Sequence, residues 1–278
     1  MKRILVPVDF SKQAKVAAKV AARIAKLTNS DIYLLHMLEL PSGVIDSGNF
    51  GSSTSNAPTS LLFVKRAHEK FVRFKKQHFF SGINLIEIVQ FNRAFEGILE
   101  ESQKQEIDLI VMGSKGVSGI EEILIGSNTE KVVRRSDVPV LVVKEAPDDF
   151  KIDDIVFASN FKIENRKTFQ KIIDFAAYFD ANLHLLKVNT IHNFETTKKS
   201  SEMIRAFVNE FDIGNHTLNI YNDITVEKGI LNFANDIDAD LICLNTHGRR
   251  GLAHLFNGSI GEDIANKALK PVITFKLI

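Results

Sequence analysis

An apolar run near the N-terminus, Ile4-Leu5-Val6-Pro7-Val8, leads directly into Asp9, Phe10 and Ser11. A carboxylate just past a buried strand can accept hydrogen bonds from a ribose hydroxyl or help position a metal ion. It can also cap a following helix, although Ser11 is equally suited to that task. A second apolar run ends at Met112 and is followed by Gly113-Ser114-Lys115-Gly116, then by Gly126-Ser127-Asn128-Thr129. Bare glycine backbone lets N–H groups approach phosphate oxygens that a Cβ would block. A helix opening at Ser127 would add free N–H groups and the positive end of its dipole. The spacing Ser127-x-x-Glu130 also fits a capping box, as does Ser259-x-x-Glu262. Capping accounts for Ser127 and Glu130 but not for the three glycines, which favour a phosphate cradle.

The elements that must position these residues occur twice. Asp108–Lys144 aligns without a gap on Asp240–Lys276, and eleven of the 37 positions are identical. Nearer the N-terminus, Ile4 pairs with Ile155, Phe10 with Phe161, and Leu35-His36-Met37 with Leu186-Lys187-Val188. The offset is then 151 rather than 132, so the first copy carries 19 extra residues. They coincide with Pro41–Ser60, where nine of twenty residues are Gly or Ser, a composition expected of a mobile, lid-like loop. Strands are expected near 3–8, 31–37, 84–91, 107–112 and 139–144, with helices near 12–27, 61–79, 95–105 and 128–135. The second copy repeats the strands near 154–159, 182–188, 216–221, 240–244 and 271–276. Continuous apolar strands alternating with helices indicate parallel sheets covered on both faces, hence an α/β chain of two doubly wound domains. The expected boundaries are 1–145 and 152–278, with a linker around Ala146–Lys151. In strand order 3-2-1-4-5 the connections change face between strands one and four, which places Asp9 and the glycine segments around one crevice.

The complete pattern resembles the universal stress protein family over both halves. It comprises Gly-x2-Gly-x9-Gly-Ser between an apolar strand and a helix leading to Pro139-Val140-Leu141-Val142-Val143, with Asp9 after strand one and Leu35-His36 closing strand two. The resemblance implies an adenine nucleotide α-hydrolase-like fold and ATP as ligand, with Mg²⁺ alongside. It implies a nucleoside contact at Asp9 beside Pro7 and Val8, and a backbone contact to adenine at Met37. It implies phosphate contacts at Gly113, Ser114, Gly116, Gly126, Ser127, Asn128 and Thr129, next to Met112. The second copy departs from the pattern: Asn160 replaces Asp9, Lys187 replaces His36 and Asn245 replaces Gly113, while Gly248, Gly258 and Ser259 remain. The first copy is therefore expected to bind ATP, and the second weakly or not at all. His247, Arg249 and Arg250 make the second loop basic, as a solvated loop or a weak anion site would be.

Other phosphate-handling classes fit less well. Gly-x4-Gly-Lys-Ser/Thr is absent, and no Gly-x-Gly-x-x-Gly follows strand one. Phe10 and Phe91-Asn92-Arg93 do not supply the acidic residues of a receiver domain. Two functions stay open: a nucleotide-dependent sensor or regulator in the stress response, and a slow ATPase or nucleotidyl or phosphoryl transferase. The sensor is favoured because no general base beyond Asp9 stands out. A net charge of +1 argues against a nucleic-acid or acidic-membrane partner. One cysteine, no run of apolar residues long enough to span a bilayer and no signal-like start lead to an expected cytoplasmic location. The final strands, Val140–Val143 and Val272–Phe275, are apolar edges. Relatives commonly dimerise through this strand, so the resemblance implies an internal pseudo-dimer and allows a homodimer of the whole chain.

Overall fold

A computed structural model describes residues 1–38, 57–114, 126–145, 150–246, 264–265 and 268–277. The first half runs β1 (Arg3–Pro7), α1 (Lys12–Thr28), β2 (Asp31–Leu38), α2 (Ala57–Lys75), β3 (Leu85–Phe91), α3 (Ala94–Lys104), β4 (Leu109–Gly113), α4 (Ser127–Arg135) and β5 (Val140–Val143). The second half runs β6 (Asp154–Ala158), α5 (Arg166–Ala177), β7 (Asn182–Asn189), α6 (Thr197–Val208), β8 (His216–Asn222), α7 (Val226–Asp236), β9 (Leu241–Thr246) and β10 (Val272–Lys276). Short 3-10 turns lie at His78–Phe80 and Ile163–Asn165. The ten strands among the described residues form one sheet in the order β3-β2-β1-β4-β5-β10-β9-β6-β7-β8, so each half has the expected 3-2-1-4-5 arrangement.

Alternation along the strands divides the core into two layers. Ile4, Val6, Leu34, Val111 and Leu141 face the layer holding α1 and Phe71 of α2. Leu5, Leu35, Ile110, Met112, Val140 and Val142 face Ile98 of α3 and Val132 of α4. Close packing of α1 follows from its small face of Ala14, Ala17, Ala18, Ala21 and Ala25. That helix is capped at its start by Ser11, whose Oγ accepts from Ala14 N at 3.1 Å. It ends at Asn29, which adopts the left-handed conformation (φ 50°) and donates to Ala25 O. The lone cysteine, Cys243, is a fully buried member of β9, and burial pushes its thiol pKa well up.

The halves meet as an internal pseudo-dimer. Strands β5 and β10 pair antiparallel, with Val142 opposite Val272, Leu141 opposite Ile273 and Val140 opposite Thr274. Leu141 and Ile273 are each other's counterparts in the repeat, so the pseudo-twofold axis passes through that pair. Across the seam, Lys276 Nζ lies 2.6 Å from Asp137 Oδ1, and Thr274 Oγ1 donates to Val140 O at 3.4 Å. The core layer continues through the seam, because Leu141 and Ile273 belong to one hydrophobic cluster. The expected linker is partly structural: residues 146–149 lie outside the described residues, but Phe150 and Ile152 are buried in that cluster. Of the expected loop Pro41–Ser60, residues 41–56 lie outside the described residues, while its last four begin α2. Among the described residues no helix is long and apolar enough to cross a membrane.

Candidate functional site

The crevice between β1 and β4 is built from strand ends. β1 pairs with β2 only as far as Pro7 opposite Leu35, with one further bond from Val8 N to Leu35 O at 2.7 Å. β2 continues to Leu38. In a strand, successive residues direct their N–H and C=O to alternate sides. Asp31 donates to Lys2 O on the β1 side and Ile32 donates to Asn84 O on the β3 side, so odd-numbered residues of β2 face β1. The N–H and C=O of Met37 therefore point past the end of β1 into the crevice. Its side chain turns the other way, against Gly97 of α3, where an added Cβ would stand 2.1 Å from Met37 Cε.

Past the buried Val8, Asp9 is exposed, and its Oδ1 accepts from Ser11 N at 2.9 Å. That bond tightens the turn into α1; Ser11 itself does the capping, and Asp9 Oδ2 remains at the crevice mouth. Phe10 sits at φ 64°, a left-handed conformation costly for a bulky side chain, and Phe161 repeats it at φ 52°. The Phe10 ring packs on His36 at 4.7 Å and on Phe71 at 5.1 Å between centroids. His36 Nδ1 lies 2.7 Å from Val8 O and must be the donor to that carbonyl. Burial, ahead of weaker effects, lowers the His36 pKa below its ordinary value and keeps the ring neutral. His36 thus ties the ends of β1 and β2 together, flooring the crevice rather than acting in it.

On the other side, Met112 is buried and Gly113 closes β4. A Cβ on Gly113 would stand 2.8 Å from Gln13 O and 2.9 Å from Gln13 C, both backbone atoms of the first turn of α1. The glycine is thus required by helix packing, in addition to any ligand. Ser114 is buried; its N–H donates to Val143 O at 3.0 Å and its C=O accepts from Gly126 N at 2.5 Å. Gly126 is the N-cap of α4, in extended conformation and without a side-chain capping bond. This corrects the capping-box reading of Ser127. Ser127 is the first helical residue, and Glu130 pairs with Arg134 at 3.2 Å instead of reaching back. The first intrahelical bond in this turn is Glu130 N to Gly126 O at 3.0 Å. The amides of Ser127, Asn128 and Thr129 precede it and have no intrahelical acceptor. Ser127 and Asn128 are exposed, whereas the Thr129 hydroxyl is buried and donates to Gly113 O at 3.1 Å, locking α4 to β4. Gly116 and Lys115 lie outside the described residues, as do Gly248, Gly258, Ser259 and the basic residues His247, Arg249 and Arg250.

The second half is differently furnished. Asn160 Oδ1 is engaged by Lys162 N at 3.1 Å and Asn165 Nδ2 at 2.8 Å. Lys187, in the place of His36, reaches Asn189 Oδ1 at 3.0 Å and Glu195 Oε2 at 2.9 Å. Where α1 starts directly after its serine cap, this half inserts a 3-10 turn and α5 begins only at Arg166. At the place of Gly113, β9 carries Asn245, whose side-chain amide has no hydrogen-bond partner among the described residues. Sequence reasoning missed Phe10 and Gln13. The signal for Phe10 was present, since both copies place phenylalanine directly after the Asp/Asn position. Nothing in the sequence marked Gln13.

Among the described residues no group of three or more His, Cys, Asp or Glu is arranged to hold a metal ion. The architecture and crevice define a doubly wound α/β domain repeated in tandem. The chain belongs to the universal stress protein family, whose family model matches residues 1–144 and 223–276. It is 30% identical to the universal stress protein MJ0577 of Methanocaldococcus jannaschii over 51% of this chain and 94% of that one. It is 24% identical to the universal stress protein Slr1230 of Synechocystis over 99% of this chain and 100% of that protein. In fold it matches the crystal structure of a universal stress protein from Archaeoglobus fulgidus. The TM-score there is 0.71 at 21% identity, covering 99% of this chain and 96% of that one.

Proposed function

We propose that the first half, residues 1–145, binds one ATP together with Mg²⁺, and that residues 152–278 form a second domain binding ATP weakly or not at all. In this reading the chain is a cytoplasmic nucleotide-dependent sensor or regulator of the stress response. The observation that carries it is the convergence, at one strand-switch crevice, of three kinds of group. These are the free end of the Asp9 carboxylate, the open backbone of Met37, and the glycine-capped start of α4 with its amides at Ser127–Thr129. Pro7, Val8 and Met112 shape the walls, Gly113, Ser114 and Gly126 fix the turn that leads into the α4 amides, and Gly116 is assigned to the phosphates from its place in the sequence motif. Asp9 is the one carboxylate among these residues, so Mg²⁺ would be held chiefly by the phosphates with Asp9 beside it. A transferase or hydrolase would need a positioned base and strong charge stabilisation. Asp9 Oδ1 is occupied by Ser11, which leaves that role poorly supplied. Phosphate release from ATP, compared between wild type and Asp9→Ala, tests the sensor reading. Turnover at or below the buffer blank in both supports it, and steady turnover lost in Asp9→Ala would make the protein an enzyme.

A further inference from the structure

Beyond the ends of β6, β7 and β9 the second half holds a cavity of about 510 Å³, within the range of small-molecule sites. Its walls are largely apolar, with Leu186, Val188, Met203, Val226, Ile230 and Leu244. Its polar groups are incompletely paired. Asn165 is only 3% exposed; its Nδ2 donates to Asn160 and Ser159, but its Oδ1 has no partner. The amide of Asn245 also lines the cavity with neither Nδ2 nor Oδ1 engaged. Buried polar atoms left this way are costly and are normally satisfied by a ligand or water. The charged lining residues are Lys162, Lys187, Lys199 and Glu195. Glu195 contacts both Lys187 and Lys199 at 2.9 Å, and with Lys162 the lining holds three lysines to one glutamate, an excess of positive charge.

We propose that this cavity binds an amphipathic monocarboxylate whose apolar body carries a hydroxyl, a ligand class different from a nucleotide. The apolar walls take the body, and the excess positive charge and the Asn245 amide N–H take the carboxylate. The hydroxyl donates to Asn165 Oδ1. ATP is a poor fit, because the Asp9 position holds Asn160 with its oxygen already engaged twice. The inference stands apart from ATP binding in the first half.

The probe is 6-hydroxy-2-naphthoate, titrated into the full chain and followed by its own fluorescence, with 2-naphthol as the carboxylate-free comparison. One molecule should bind per chain, saturating ATP should not displace it, and 2-naphthol should bind more weakly. Val226→Trp, which fills the cavity, should abolish binding. Lys199→Ala removes an exposed cation outside the core and should weaken binding about two- to fivefold, the range of an exposed ion pair. Displacement by ATP, equal binding of 2-naphthol, or unchanged affinity in Lys199→Ala would each overturn the proposal. The Lys199 variant keeps the test decisive if the tryptophan variant misfolds.

Discussion

Replacing Val142 by proline probes the seam without touching the first-half crevice. On β5, Pro139 and Val143 offer their carbonyls to β4, accepting from Ile110 N at 2.9 Å and Ser114 N at 3.0 Å. On β10, Pro271 accepts from Ile242 N at 3.0 Å and Leu277 donates to Thr246 O at 2.9 Å, both toward β9. The even-numbered residues of each strand therefore turn to the seam, and Val142 exchanges N–H···O bonds with Val272. Proline removes the Val142 donor, leaves the Val272 carbonyl without its partner and puts ring atoms where the hydrogen was. An orphaned buried carbonyl costs about 1–3 kcal/mol, and steric displacement raises the expected loss to about 2–4 kcal/mol. That is a large fraction of the roughly 5–15 kcal/mol available to a folded chain. Urea unfolding measures the loss. Amide exchange in the wild type supplies the companion reading: Val140, Val142, Val272 and Thr274 should all be protected. If those four exchange like residues of a free edge, or if Val142→Pro costs under about 0.5 kcal/mol, β5 and β10 are not bonded as described.

Other expectations follow from the crevice floor and its packing. His36 is held neutral with its pKa lowered by burial, so the unfolded chain takes up a proton first as pH falls below about 6.5. Its contribution to stability is intact above that pH and declines below it, by at most about 1.4 kcal/mol per pH unit. A His36→Gln variant should lack this component between pH 7 and 5, and an identical pH profile would refute it. Gly113→Ala should cost about 1–3 kcal/mol in urea, because the new Cβ meets the Gln13 backbone at 2.8 Å. Asn245→Ala, at the matching place, should be neutral or nearly so. Equal effects at the two positions would contradict the displaced start of α5.

The strand order and the repeat were legible because buried parallel strands appear as unbroken apolar runs and because both copies preserve Gly-Ser and Pro-Val at matched positions. Finer features were not. Helix α2 starts at Ala57, several residues ahead of the apolar periodicity, because Pro58 is tolerated in a first turn where its missing N–H has no helical partner. It stops at Lys75, and Phe79 and Phe80 pack on each other, 4.5 Å between centroids, instead of extending it. The cap of α4 lies one residue before the expected serine, because any extended residue can serve and Gly126 is already held by Ser114 O. The reason for Gly113 lies in contact with α1, about a hundred residues away in sequence, which no local pattern encodes. Polar composition likewise concealed the burial of Phe150 and Ile152 next to the acidic run Asp148-Asp149.

Isothermal titration of the full chain with ATP and Mg²⁺, repeated with Asp9→Ala and Asn160→Ala, tests the central claim most directly. The crevice geometry predicts one site per chain, strongly weakened by Asp9→Ala and unchanged by Asn160→Ala. Two equal sites, no binding at all, or a single site that follows Asn160 would contradict it.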